Sequence, residues 1–132
     1  MPAPRALALR TTGSTYPGSP EHLGAVRAEL QTLVDGCPMA DDVILCVSEL
    51  AANAAIHSDS RMPGGTFTVH ATLCPGDYIW VEVEDSGGPW IPKHSDTTRS
   101  HGLDIIRTLA SDWGIDGDYR ARTVWARFDW PA

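Results

Sequence analysis

None of the short motifs that usually announce a nucleotide, metal or acyl-transfer site occurs in this chain of 132 residues. There is no GxxxxGK[ST] phosphate loop, no HExxH, no GxSxG and no GxGxxG. Any nucleotide site must therefore be of another kind. Cysteine is scarce, and Cys37, Cys46 and Cys74 form an odd, widely spaced set. That set fits neither a disulfide framework nor a CxxC metal knuckle, so free thiols are expected, with Cys46 buried in a helix. Lysine is almost absent: Lys93 is the one lysine among ten basic residues, and net charge is −7. A general nucleic-acid or anionic-membrane binder would present a basic footprint instead. A small basic pocket for phosphates remains compatible. No apolar run approaches the ~20 residues of a membrane span. The opening MPAPRALALRTTGS also lacks the apolar stretch of a signal peptide. These absences predict a cytoplasmic setting.

What is present suits one compact domain over 1–132, with 42% hydrophobic and 20% charged residues. RALALRTT, residues 5–12, reads as a short first strand, and STYPGSPEH as turn chemistry. Ser19 is expected to cap a helix that Pro20 opens. Leu23, Val26, Leu30, Leu33 and Val34 then recur at helical spacing. A second helix is expected from about Asp41 to His57. TFTVHATL and YIWVEVED alternate strictly and read as two strands joined by a turn at Pro75-Gly76. Residues 86–100 show no periodicity, and loops that long are usually functional or disordered. A third helix follows, with Leu103, Ile106, Leu109, Ala110 and Trp113 on its apolar side. DWGIDGD is read as a turn, with last strands at about 114–118 and 123–130. The expected fold class is α+β: a two-layer sandwich with a mainly antiparallel, mixed sheet and helices on one face.

Four places in this pattern are candidates for chemistry. In VSELAANAAIHS, Glu49, Asn53 and His57 are spaced by four, which brings them to one helix face beside the apolar stripe of Val43, Ile44, Val47, Leu50, Ala51 and Ala54. That face is either simply solvated or a site. Asparagine is a poor residue for a helix interior, and its flanking alanines would leave room for a ligand. Oxygen donors such as Glu49 and Asn53 are also what Mg²⁺ prefers. Period-2 counting places Asp85 on the face of Val81 and Val83, where a carboxylate is costly unless compensated. It either escapes to solvent or caps a turn with Ser86 and Gly87, or it accepts hydrogen bonds from a ligand amino group. Gly87 and Gly88 permit positive φ and close approach, or simply start a loop. Gly102 is expected to open the third helix, where free N–H groups can hold phosphates. Lys93 and Arg99 either close over such an anion or stand as solvated charges.

Taken in order, ExxxN on a helix, a strand ending DxG, a loop, and Gly-Leu opening a helix resemble the GHKL superfamily of ATP-binding domains. VSELAANAAIHS, VEVEDSGG, SHGLDIIRTLASDWGI and the closing TVWARFDW resemble its bacterial anti-sigma-factor serine/threonine kinase branch, over about residues 15–130. The resemblance implies ATP and Mg²⁺ as cofactors. It implies Glu49 as the carboxylate that activates the attacking hydroxyl or water, and Asn53 as the Mg²⁺ ligand. Asp85 would accept from the adenine amino group, and Gly87 would leave room for the base. Residues from about 89 to 100, with Arg99, would form the ATP lid, and Gly102 and Leu103 would face the phosphates. The partners implied are a sigma factor, an anti-sigma-factor antagonist protein, or both, and a homodimer is a candidate assembly. Two positions depart from the family pattern: Pro89 replaces a second Gly, and Ser100 replaces the first Gly of GxGL. The alternative to kinase turnover is a regulatory module that binds a partner, with nucleotide or without it.

Overall fold

The computed structural model describes residues 9–57, 62–87, 97–118 and 120–132, with side chains of 56–57 and 97–102 outside that description. The elements follow the order β1 (Arg10–Pro17), a short 3₁₀ turn (Pro20–His22), α1 (Leu23–Val34), α2 (Ala40–His57), β2 (Thr66–Cys74), β3 (Tyr78–Asp85), α3 (Thr97–Leu109), β4 (Asp112–Gly117) and β5 (Arg122–Asp129). The five strands form one sheet in the order β1-β2-β3-β5-β4. All four pairings are antiparallel. The expected α+β sandwich is thus present, with a purely antiparallel sheet among the described strands.

Strict alternation produces the two layers. Phe67, Val69, Ala71 and Leu73 on β2, Ile79, Val81 and Val83 on β3, and Val124, Ala126 and Phe128 on β5 are all buried. They meet Val43, Cys46, Val47, Leu50, Ala51 and Ala54 of α2 in one core. α2 lies on β2 and β3, with α1 and α3 packed against it. Burying each large aliphatic side chain is worth about 1.5–3 kcal/mol, so this interior supplies the main drive to fold. The opposite sheet face is polar and half exposed. Its most apolar feature is the stack of Trp80 on Trp125, with ring centroids 4.6 Å apart. Gly114 makes room for that stack, because a Cβ there would lie 2.7 Å from the Trp125 indole nitrogen.

Several boundaries differ from the sequence reading, each for a local reason. The first strand is Arg10–Pro17, whereas residues 5–8 lie outside the described residues. Its helix-facing residues are Thr12, Ser14 and Tyr16, which bond Glu29 of α1 through their hydroxyls. No hydrophobic alternation announces such a strand. Ser19 does occupy the cap position of the 3₁₀ turn, but it makes no side-chain cap bond. Its hydroxyl instead donates to the Glu21 carboxylate at 2.9 Å. DWGIDG is a strand and not a turn, so Trp113 belongs to β4. The helix before it ends at Leu109, and the Ser111 amide already bonds the Arg127 carbonyl at 2.8 Å, which starts the sheet. α3 begins at Thr97, so Gly102 is inside it and does not open it. An interior glycine costs ~1 kcal/mol against alanine. The apolar side carrying Leu103, buried Ile106 and Leu109 packs on the core and offsets that cost. Among the described residues, no helix is long and apolar enough to cross a membrane.

Candidate functional site

The candidate residues lie on α2 and at the end of β3, two elements that pack against each other. Along α2, the apolar stripe holds the helix on the sheet, and the positions beside it are then forced inward or left at the margin. Glu49 sits at the margin, half buried. Asn53, one turn further on, is 8% exposed and flanked by buried Ala51, Ala54 and Ala55. Its amide Nδ2 has no hydrogen-bond partner among the described residues. An unsatisfied buried donor typically costs about 1–3 kcal/mol, so such a group in a folded protein calls for an explanation. The side chain of His57 lies outside the described residues.

Asp85 ends β3 with its carboxylate facing the helices, only 6% exposed. The alternation count therefore places it correctly. It does not escape to solvent, and it does cap a turn: the Gly87 amide donates to Asp85 Oδ1 at 2.6 Å. Gly87 has φ +73°, a conformation that a residue with a side chain adopts only at a cost. Three features thus coincide at this strand end: a buried acceptor, a tight turn, and a missing side chain. Gly88, Pro89, Trp90 and Lys93 lie outside the described residues. Arg99 and Gly102 belong to the backbone of α3, with side-chain surroundings outside the description, while Leu103 is half buried against the core.

A residue not singled out from the sequence completes this end of the sheet. Arg122 opens β5 directly across from Asp85. Its Nε lies 3.7 Å from Asp85 Oδ1, and the two side chains are 11% and 5% exposed. The guanidinium compensates the buried carboxylate, which alone would be costly to desolvate. The signal was available. Counting back by two from Phe128, Ala126 and Val124 reaches Arg122 on the interior face, but the strand was read as starting at Thr123.

These features correspond to a known family. The family model describing the histidine kinase-like ATPase domain matches residues 16–128. The chain belongs to that family, and family membership implies an ATP-binding domain. No curated protein matches the chain in sequence. Among solved structures, it is similar to the crystal structure of the RsbU and RsbW domains of Rv1364c from Mycobacterium tuberculosis. The TM-score is 0.72 at 21% identity over 93% of this chain. This chain spans 34% of that one, and the likeness shows a shared fold.

The residues present fit a nucleotide. Asn53 offers a buried amide whose hydrogen-bonding capacity is incompletely used, and Asp85 offers a buried acceptor at the strand end. Among the described residues, no cluster of three or more His, Cys, Asp or Glu could hold a metal by itself.

Proposed function

We propose that this domain binds Mg²⁺-ATP and transfers the γ-phosphate to a serine or threonine hydroxyl of an antagonist protein, as an anti-sigma-factor-like regulator. The observation that carries the reading is Asn53: a buried amide with an unbonded Nδ2 among the described residues, one helical turn from Glu49, in a chain of the histidine kinase-like ATPase family. Asp85 would accept from the adenine amino group, with Gly87 leaving space for the base. Asn53 would hold the metal through Oδ1. Mg²⁺, when bound, would neutralise phosphate charge. Arg99, Gly102 and Leu103 remain the proposed phosphate-side residues, in a lid of about residues 89–100. The anti-sigma kinase-like motif order supplies the partner class: a sigma factor, its antagonist, or both.

In this reading Glu49 is the catalytic base. It takes the proton from the attacking hydroxyl as that oxygen bonds to the γ-phosphorus. The bond to the bridging oxygen breaks, and ADP leaves with the electron pair. Positioning and charge neutralisation do most of the work in such transfers.

The start of α3 favours a second reading, nucleotide binding without turnover. With the helix beginning at Thr97, the Gly102 amide belongs to the internal ladder. It is not one of the four free N–H groups of a helix start. A phosphate could reach the Gly102 amide only if the first turn of α3 unwound.

Calorimetry with ATP, with and without Mg²⁺, on wild type and Asp85→Asn tests the binding step. Saturable Mg²⁺-dependent binding that the substitution weakens by ~100-fold or more is expected, since a ligand donor then meets an amide that is no longer a charged acceptor. Folded wild type that binds no ATP would remove the reading. Transfer of labelled γ-phosphate to an antagonist protein, lost in Glu49→Gln while ATP binding persists, separates the kinase from the binding module.

A further inference from the structure

The strand register that buries Asp85 also sets a cation beside it. Arg122 is its cross-strand partner on β5. The Arg122 and Asp85 side chains are 11% and 5% exposed, with Nε 3.7 Å from Oδ1. At that separation the Nε group acts on this oxygen by charge and not as a hydrogen-bond donor. Oδ1 takes a hydrogen bond from the Gly87 amide at 2.6 Å. A carboxylate has about four acceptor positions on its two oxygens, so that bond does not exhaust it. What burial threatens is its ionisation. A carboxyl group withdrawn from water favours its protonated form, and a cation within ~4–6 Å opposes that preference. β2, β5 and α2 pack against β3. Towards the interior, β2 presents apolar Phe67 and Val69, and β5 presents Val124 after Arg122. α2 presents uncharged Asn53, half-buried Glu49, and Cys46, whose thiol burial pushes up to about 12 and so keeps neutral. Glu49 has the same sign as Asp85 and opposes its ionisation. Arg122 is the cation that strand pairing places against it.

We propose that Arg122 is a positioning residue: it holds Asp85 as an ionised acceptor, so that selection for the amino group of the base stays constant across the neutral pH range. The inference rests on the reading of Asp85 as the group that meets the base. In this role Arg122 acts through Asp85 and makes no contact with the nucleotide. Ionisation matters here because the Gly87 amide already holds one oxygen in place. A proton on the other oxygen turns it into a donor, and a donor set against the base amino group repels it. A purine ring without that amino group loses nothing by the same change. Without Arg122, the buried carboxyl group takes up its proton at a higher pH, and selection for the amino group fades as pH falls.

The test is the ratio of affinities of the full chain for ATP and the triphosphate of unsubstituted purine riboside, by competition against a fluorescent ATP analogue at saturating Mg²⁺. The two ligands share their phosphates, so phosphate protonation cancels in the ratio. Wild type should favour ATP at least ~tenfold, with a ratio that is flat between pH ~8 and ~5. In Arg122→Gln, checked by thermal melting, the ratio should fall at least ~fivefold as pH drops through that range and return towards the wild-type value at its upper end. That return is a readout which a merely structural role would not give. Arg122→Lys keeps a cation on a stem that reaches the Nε position, and its ratio should stay flat. A wild-type or Arg122→Lys ratio that falls across the range overturns the inference. An Arg122→Gln ratio that matches wild type throughout, or stays low at the upper end, overturns it as well. If Arg122→Gln does not fold, the wild-type and Arg122→Lys profiles decide. A wild type that binds both nucleotides equally removes the Asp85 reading itself, and the inference with it.

Discussion

Two polar clusters lie on the helix-facing side of the sheet, and they are built in opposite ways. At the β1 edge, the Glu29 carboxylate of α1 takes hydrogen bonds from Thr12, Ser14 and Tyr16, with Ser14 at 2.7 and 2.8 Å and Tyr16 at 2.6 Å. Every partner belongs to the protein, and the network ties the edge strand to α1. At the far end of α2, Asn53 is more deeply buried, yet its Nδ2 finds no partner among the described residues. A saturated cluster is explained by folding alone. A buried amide with an unused donor is what the proposed nucleotide site calls for. The contrast separates structural polarity from a site better than burial or charge can.

Substitutions should therefore split binding from stability in opposite directions at the two places. The largest effect is expected at Asn53→Ala. Mg²⁺-dependent ATP affinity should fall ~100-fold or more, as for the loss of a buried polar ligand contact. The thermal midpoint should hold or rise, because the change removes an unsatisfied donor and gains about 0.5 kcal/mol of helix propensity. A clear loss of stability would mean that the amide already has a structural task. Glu29→Ala should do the reverse. Losing several hydrogen bonds to a half-buried carboxylate should cost about 2 kcal/mol in urea unfolding, with ATP affinity unchanged in calorimetry. If ATP affinity fell with it, the two clusters would be coupled and the separation would fail.

The same contrast explains what could be read before the fold was seen. β2 and β3 announce themselves through strict alternation, and that alternation also placed Asp85 on the interior face, where it is found. α1 and α2 follow from apolar spacing. Legibility failed wherever polar groups or glycine do the work of apolar ones. β1 joins the interior through hydroxyls rather than hydrocarbon, whereas the apolar pattern of the sequence lies in the alanines and leucines ahead of it. β4 carries Gly114 beneath the Trp125 ring, and a glycine needed for close packing looks the same in sequence as one needed for a turn. Arg122 was hidden by a strand start placed one residue late. Period 2 is unforgiving of such an error, since the excluded residue is the one that faces inward.

The smallest effect concerns acid, and it sharpens the account of the Glu29 cluster. Hydrogen bonds from Thr12, then Tyr16, then Ser14 hold the Glu29 carboxyl below its ordinary value of 4.5, while partial burial opposes them. Burial, and next the bond to Glu29, push the Tyr16 hydroxyl up to about 12, so it remains a donor. Because the unfolded chain takes up the Glu29 proton at a higher pH than the folded one, stability falls as pH falls in that window. The contribution is complete above about 4.5 and fades as pH drops through the lowered folded value. Urea unfolding of wild type and Glu29→Gln should therefore differ most near pH ~7 and converge only as pH falls below the lowered folded value. On the alkaline side the Tyr16 contribution should persist to pH ~10 and fade towards 12, with Tyr16→Phe lacking that loss. A wild-type advantage that stayed constant through the acid range would mean that the hydroxyls hold Glu29 by packing geometry and not by its charge. The cluster would then be a polar spacer between β1 and α1, and its saturation would no longer distinguish it in kind from Asn53.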